Sequence, residues 1–395
     1  MGGRGLSPLF AACLLVLGGA GCAGAPAPPD PLTGAGAAAV PVVASAAPAA
    51  ALDPAVALGQ IVGVSVGGPE ITPALRHLII DDKVGCVVLF HSNVGDAAGL
   101  KRWVADLQQL GREAGLPAPM LIAIDQEGGQ VDQLPDPLHP LPAAQLLGAR
   151  GENAVRQGYA RAAARLHALG VGLDLAPVAD LRTNPADSVI GDRSFGRSAA
   201  LVDPLVSAAV MGLHDGGVGA TLKHFPGLGG APGNPHRAIG TDRVTVAAWL
   251  AGAGRSFGAG VDAGADAVMT TAVSVPALDP SGTPGVFSRP IVSLLRDRLG
   301  FSGVVVTDSL SMGGIGAIHP LPDAAVAALE AGNDLLLLGN DDPVYEASAI
   351  DALRAAISAD TALEAQVQES AQRVLTLTRL HQPVGAPEPV APVAH

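Results

Sequence analysis

The chain has 395 residues, a formal net charge of −13, and 49% hydrophobic but only 3% aromatic residues. That length suits one large domain or two ordinary ones, with a core of Ala, Val and Leu. An acidic balance without a basic cluster argues against nucleic acid as a partner.

The first residues read as a targeting segment. Arg4 supplies a thin positive region, Leu6 to Leu17 an apolar one, and Gly18 to Cys22 a small-residue cleavage zone. The apolar part is too short to span a bilayer. Cys22, directly after Ala20-Gly21, resembles a bacterial lipobox in which the cysteine becomes the lipidated first residue; Gly19 stands where that motif carries Leu. Residues 1–22 are therefore expected to be a lipoprotein export signal, with plain secretion as the alternative. Residues 23–52, rich in Ala and Pro and nearly uncharged, are expected to be a disordered tether, and the Pro-rich residues 382–395 a disordered tail. This leaves a domain over residues 53–381 with Cys86 as its one cysteine. No disulfide framework is possible there, and Cys86 is expected to be a small core residue.

Within the domain, short β-branched runs alternate with longer amphipathic stretches. The expected strands are Gln60–Val66, Gly85–Phe90, Met120–Asp125, Leu173–Asp180, Ala220–His224, Ala267–Ala272, Gly303–Asp308 and Asp334–Leu338. Helical patterns lie between them, among them Leu100–Ala114, Asn153–Leu169, Leu201–His214, Pro290–Leu299 and Ala324–Ala331. They stop at Gly115, Gly170, Gly216, Gly300 and Gly332, as helix ends do. Near-continuous apolar strands separated by helices predict a parallel sheet covered on both faces. Eight of them suit an α/β fold of the (β/α)8 TIM-barrel type, with an open doubly wound sheet as the alternative. Polar residues gather where the strands end: Asp125-Gln-Glu127, Asp180, Lys223-His224, Thr270-Thr271 and Asp308-Ser309. A barrel brings such ends together at one mouth, whereas an open sheet spreads them along a line, so the pattern favours the barrel.

One loop carries unusual chemistry. Lys223 and His224 close an apolar lead-in, and a run rich in Gly and Pro leads on to a second histidine, His236. The two histidines lack helix spacing and have no cysteine beside them, so zinc is weakly indicated, and no metal or cofactor is expected. No G-x-S-x-G elbow is present for a serine hydrolase. A carboxylate at the mouth, Asp308, and an imidazole on a loop, His236, fit the nucleophile and the proton-transfer group of a retaining glycosidase. An imidazole of ordinary pKa, about 6.5, can donate and then take back a proton near neutral pH. Asp125, Arg193, Lys223 and His224 would hold sugar hydroxyls.

Several segments together resemble glycoside hydrolase family 3, in particular the single-domain bacterial β-N-acetylglucosaminidases. They are Gly85-Cys-Val-Val-Leu-Phe with Asn93, Ile122-Ala-Ile-Asp-Gln-Glu-Gly-Gly-Gln-Val131, Ala176-Pro-Val-Ala-Asp180, Asn184-Pro185, Val189-Ile-Gly-Asp-Arg-Ser-Phe-Gly196, Lys223-His-Phe-Pro-Gly227 and Gly303-Val-Val-Val-Thr-Asp-Ser-Leu-Ser-Met312. The resemblance implies Asp308 as nucleophile, His236 as general acid/base, and Asp125, Arg193, Lys223 and His224 as sugar-binding residues. It also implies an amino-sugar glycoside as substrate, with cell-wall peptidoglycan fragments as one source, handled by a monomer that meets the membrane only through its anchor.

Three positions depart from the family pattern, and each removes charge. Asn234-Pro235-His236 replaces Asp-Ser-His, Leu228 replaces a histidine, and Gln133 replaces an arginine. An Asn cannot stabilise an imidazolium, so three readings stay open: an amino-sugar hydrolase, a family 3 enzyme of changed specificity or proton donor (Asp242 being the alternative acid), and a sugar-binding lipoprotein with decayed acid/base function.

Overall fold

The computed structural model describes residues 51–134, 141–184, 189–339 and 342–382. The expected export signal with Cys22, the tether up to residue 50 and the tail from residue 383 lie outside the described residues. Among those described, no helix is long and apolar enough to cross a membrane.

Eight parallel strands form the core: β1 (Val62–Ser65), β2 (Cys86–Leu89), β3 (Leu121–Ile124), β4 (Leu173–Asp174), β5 (Gly219–Phe225), β6 (Ala267–Thr270), β7 (Val304–Thr307) and β8 (Leu336–Leu337). Seven fall inside an expected run, and β5 extends the expected Ala220–His224 by one residue at each end. Sequential strands pair in register, for example Val87 with Ile122 and Val268 with Val305. β8 returns to β1 through Val62–Leu336 and Gly63–Leu337. The last seam, β7 to β8, is held by a bridge between Val306 and Leu335 and by Thr307 N donating to Leu335 O at 2.9 Å. The sheet is thus a nearly closed barrel, and the open-sheet alternative is set aside.

Strand geometry explains what fills it. Side chains alternate across a strand, so every second residue points inward: Cys86 and Val88, Leu121 and Ala123, Ala267 and Met269, Val304 and Val306, Leu335 and Leu337, all nearly inaccessible to water. Cys86 is one of these packing groups, and burial pushes its thiol up to about 12. Val374 and Leu377, from the last helix (Thr361–Leu380), join the same cluster. These two lie where the terminal helix crosses the lower end of the barrel, so the mouth at the upper end is left for chemistry.

Local signals place the helices. Asp96, Ser288 and Asp342 accept from the first backbone N–H groups of the helices that begin at Ala97, Arg289 and Pro343, satisfying donors that a helix start leaves open. The helix stops behave as expected at Gly115, Gly170, Gly300 and Gly332, all with positive φ. The helix Ala199–Asp215 also stops at Gly216, its cap residue, which keeps a right-handed φ of −93°; the left-handed turn follows at Gly217, at +87°. The domain edge is secured at Leu52, whose backbone N–H and C=O both bond the Gln368 side chain at 2.9 Å.

Candidate active site

β3 ends at Ile124, and the next residue is Asp125; β5 carries Lys223 and His224 within its final residues; β7 ends at Thr307, directly before Asp308. Parallel strands place all of these at the same end of the barrel. The turn after β3 is held by Gly128 and Gly129, with φ of +82° and +61°. A Cβ on either would lie 2.5 Å from Leu141 O or 2.6 Å from the Ala143 side chain, so only glycine fits this turn.

Four of the predicted residues form one ionic network. Lys223 is almost fully buried and its Nζ bonds both Asp125 and Glu127, the latter at 2.5 Å. Arg193, brought in by the 3₁₀ turn Gly191–Arg193 of the loop after β4, takes both Glu127 oxygens at 2.7 Å in a fork. Such bidentate pairing is among the stronger polar contacts. His224 Nδ1 lies 2.6 Å from Asp180 Oδ2, and its Nε2 lies 3.3 Å from Arg193. A guanidinium can only donate, so a hydrogen bond across this last contact has Nε2 as its acceptor, and Nδ1 then carries the proton that faces Asp180. Asp180 also accepts from the backbone of His224 and Leu228, at 3.0 and 2.6 Å, which fixes the loop start.

The charges shift accordingly. Burial works against ionisation of Glu127, yet Lys223 and Arg193 overcome it and hold the carboxyl at about 2. Burial equally opposes the charge on Lys223, but Asp125 and Glu127 raise its pKa above the ordinary value. The lysine is therefore a buried ammonium with two of its three N–H donors already engaged. Asp125, with 29% of its side chain accessible, is the member of this network that can accept from a ligand hydroxyl.

Asp308 sits beside this network. Its Oδ2 accepts from Thr271 Oγ1 at 2.7 Å and its Oδ1 from Ser309 N at 2.8 Å, while its own N–H stays in the ladder to Thr270 O at 2.7 Å. Thr271 N in turn donates to Phe225 O at 3.0 Å, next to His224. One buried threonine thus links the carboxylate of β7 to the histidine strand β5.

His236 is not drawn into the network. It is exposed, and among the described residues its ring makes no hydrogen bond. Its loop is nonetheless seated: Gly314 N donates to Pro235 O at 3.1 Å, and a Cβ at Gly313 or Gly314 would meet His236 O or Pro235 O at 2.5 or 2.4 Å. The backbone carrying His236 therefore rests on the segment that follows Asp308. Asn234 Oδ1 accepts from His236 N at 2.9 Å, capping the backbone and not orienting the ring. Gln133 is likewise occupied, accepting from His91 N at 2.8 Å. Leu228 is buried. Asp242 accepts from Val244 N at 3.0 Å, a local turn contact, and burial raises its pKa.

Glu127, Asp180 and Thr271 were visible in the sequence only as part of the strand-end polar pattern. Their roles as partners of Arg193 and Lys223, of His224 and of Asp308 follow from spatial neighbours far away in the chain.

The profile described as "Glycosyl hydrolase family 3 N terminal domain" matches residues 55–377. The chain belongs to glycosyl hydrolase family 3. A β-hexosaminidase of Xanthomonas campestris pv. campestris is 38% identical over 291 residues, spanning 72% of this chain and 85% of that protein. Among solved structures, a family 3 β-N-acetylglucosaminidase from Paenibacillus sp. str. FPU-7 superposes with a TM-score of 0.80 at 36% identity, covering 84% of this chain. The match spans only 63% of that Paenibacillus chain. NagZ from Neisseria gonorrhoeae, solved in complex with N-trifluoroacetyl-D-glucosamine, superposes with a TM-score of 0.66 at 28% identity over 81% of this chain and 93% of its own. The family resemblance, the barrel fold and the glycoside hydrolase class expected from the motifs are thereby met.

Proposed function

We propose that this family 3 protein is a retaining exo-glycosidase acting on terminal β-linked N-acetylglucosamine, with Asp308 as nucleophile and His236 as the proton-transfer group. The observation that carries this reading is Asp308 at the barrel mouth, held through both oxygens by Thr271 and Ser309 beside the charged cradle of Asp125, Lys223, Arg193 and His224. In the first step an Asp308 oxygen bonds the anomeric carbon as the glycosidic C–O bond breaks, and the leaving oxygen takes a proton from the His236 imidazolium. In the second, neutral His236 removes a proton from water, whose oxygen bonds the same carbon as the carbon–Asp308 bond breaks, which restores the carboxylate and the imidazolium and releases the sugar with its configuration retained. Asp125 accepts from a sugar hydroxyl, and Lys223 and Arg193 fix the network around it. The names of the related β-hexosaminidase and of the structures with N-acetylglucosamine chemistry support the choice of sugar.

A second reading is favoured by one contact. Because Asn234 caps the His236 backbone and leaves the ring without a carboxylate partner, proton donation is weak and only substrates with good leaving groups turn over quickly. Loss of an orienting carboxylate costs on the order of 10⁴-fold in a serine protease. Nitrophenyl glycosides separate the readings when assayed with wild type, Asp308→Asn and His236→Ala. Cleavage of the N-acetylglucosaminide that Asp308→Asn abolishes supports the proposal; equal rates in wild type and Asp308→Asn would sink it. A wild type that cleaves nitrophenyl but not alkyl glycosides supports the weak-acid reading.

We further propose that the protein is exported, anchored through a lipid on Cys22, and acts as a monomer on peptidoglycan-derived fragments. The N-terminal sequence supports the first part and the amino-sugar reading the last. Mass spectrometry of the membrane fraction, with and without Cys22→Ala, tests the anchor.

A further inference from the structure

At the end of the barrel opposite Asp308, three ligand-forming side chains converge. Asp266 directly precedes β6, His214 lies in the last turn of the helix Ala199–Asp215, and His381 directly follows the terminal helix. His214 Nε2 is 2.7 Å from Asp266 Oδ2, and His381 Nε2 is 2.8 Å from Asp266 Oδ1. The two rings are nearly parallel, 19° apart in plane with centroids 5.7 Å apart, and they face the same carboxylate. One ligand atom from each residue lies within 4.8 Å of the other two. Among the described residues this is the group that could hold a metal ion.

We propose that His214, Asp266 and His381 form a divalent-metal site of the zinc class, which clamps the end of the terminal helix to the floor of the barrel. Two imidazole nitrogens and one carboxylate oxygen are a donor set that zinc takes, with water completing a tetrahedron. Bonds of about 2.0–2.1 Å put tetrahedral ligands ~3.3 Å apart. Each Nε2 is already slightly closer than that to one Asp266 oxygen, His214 to Oδ2 and His381 to Oδ1; with one oxygen serving as ligand, the remaining separations, at most 4.8 Å, close with small ring rotations. Both histidines stand at helix ends, where such rotation moves little else. Their Nδ1 atoms make no hydrogen bond to a described residue, so each ring can carry its proton there and present Nε2 to the ion. Asp266 is pre-oriented from outside the site, since Oδ2 also accepts from Ala220 N at 2.9 Å; outer partners of this kind fix ligand geometry. Access exists because the His214 side chain is 32% exposed.

The clamp has a structural consequence. His381 sits against the start of β5, where a Cβ on Gly219 would meet its ring at 3.0 Å, and Val374 and Leu377 of the same helix plug the barrel interior. An ion at this point joins three segments distant in sequence. It would stabilise the folded barrel because the unfolded chain does not hold the three ligands together. This inference is independent of the glycosidase reading.

The test uses the full chain without a polyhistidine tag, titrated with ZnCl2 by calorimetry and with Co²⁺ by visible absorption. The expected result is one ion per chain with Kd of about 10 μM or tighter, weakened at least about 10-fold in His381→Gln and in His214→Gln, with a Zn²⁺-dependent rise in Tm in wild type only. Absence of binding by wild type at 1 mM Zn²⁺, about 100-fold above the expected Kd, overturns the proposal, as does equal binding by wild type and both variants. If the variants fail to fold, X-ray absorption of the zinc-loaded wild type decides alone: two imidazoles with oxygen ligands support the site, and any other shell overturns it.

Discussion

Replacing Glu127 by glutamine probes the ionic network while keeping the size of the side chain. The wild-type carboxylate is buried, accepts from Lys223 and from both forks of Arg193, and is held at about 2 against an ordinary 4.5. By linkage, that depression is worth about 3 kcal/mol of folding stability. Removal of one partner from a buried ion pair costs about 3–5 kcal/mol by an independent route, because the other charge is left uncompensated. In Glu127→Gln the amide N–H group must face either Lys223 or Arg193, donor against donor. Urea unfolding of both proteins should therefore show a loss of about 3 kcal/mol at pH 7. The sign with pH follows from the lowered pKa. The wild-type advantage is complete above the unfolded value of 4.5 and declines as pH falls toward 2, with roughly half gone near pH ~3. A loss below about 1 kcal/mol at pH 7, or a gap that does not narrow in acid, would refute the reasoning.

Three further outcomes follow from named contacts. Thr271→Val removes the hydroxyl that donates to Asp308; a bond to a charged group is worth about 1.5–3 kcal/mol. It should lower kcat by roughly 10- to 100-fold with KM little changed, and Thr271→Ser should restore it; a Val variant at wild-type rate counts against the role of Thr271. Asn234→Asp supplies a carboxylate two residues before His236, and kcat/KM on alkyl glycosides should rise at least about 10-fold while the nitrophenyl rate barely changes. An equal gain on both substrates would show that protonation was not limiting. Gly314→Ala places a methyl group 2.4 Å from Pro235 O, which should shift the His236 loop and lower kcat about 10-fold or more with Tm within a few degrees of wild type. Unchanged kinetics would mean the loop is not seated there during turnover.

What could be read from the residues alone was whatever depends on short-range periodicity. Each of the eight apolar runs coincides with a barrel strand because alternation and β-branched content act within a few residues, and the polar residue ending a run marks the mouth wherever the strands are parallel. Asp125, Lys223, His224 and Asp308 were found this way, and the spaced motifs around them led to the family. The helix stop at Gly216 was legible as well, but which of the two adjacent glycines takes the left-handed turn was not, since both offer the same freedom and only the chain path selects Gly217. Tertiary structure alone decided who meets whom. Glu127 takes Lys223 and Arg193 across 96 and 66 positions, Asp180 holds the His224 ring and backbone, and Thr271 joins two strands at Asp308, because the barrel's curvature sets these separations. It also decided that His236 stands apart with Asn234 on its backbone, and that His214, Asp266 and His381 share one corner. Long-range contacts leave no local pattern in the chain; they arise only when the sheet closes.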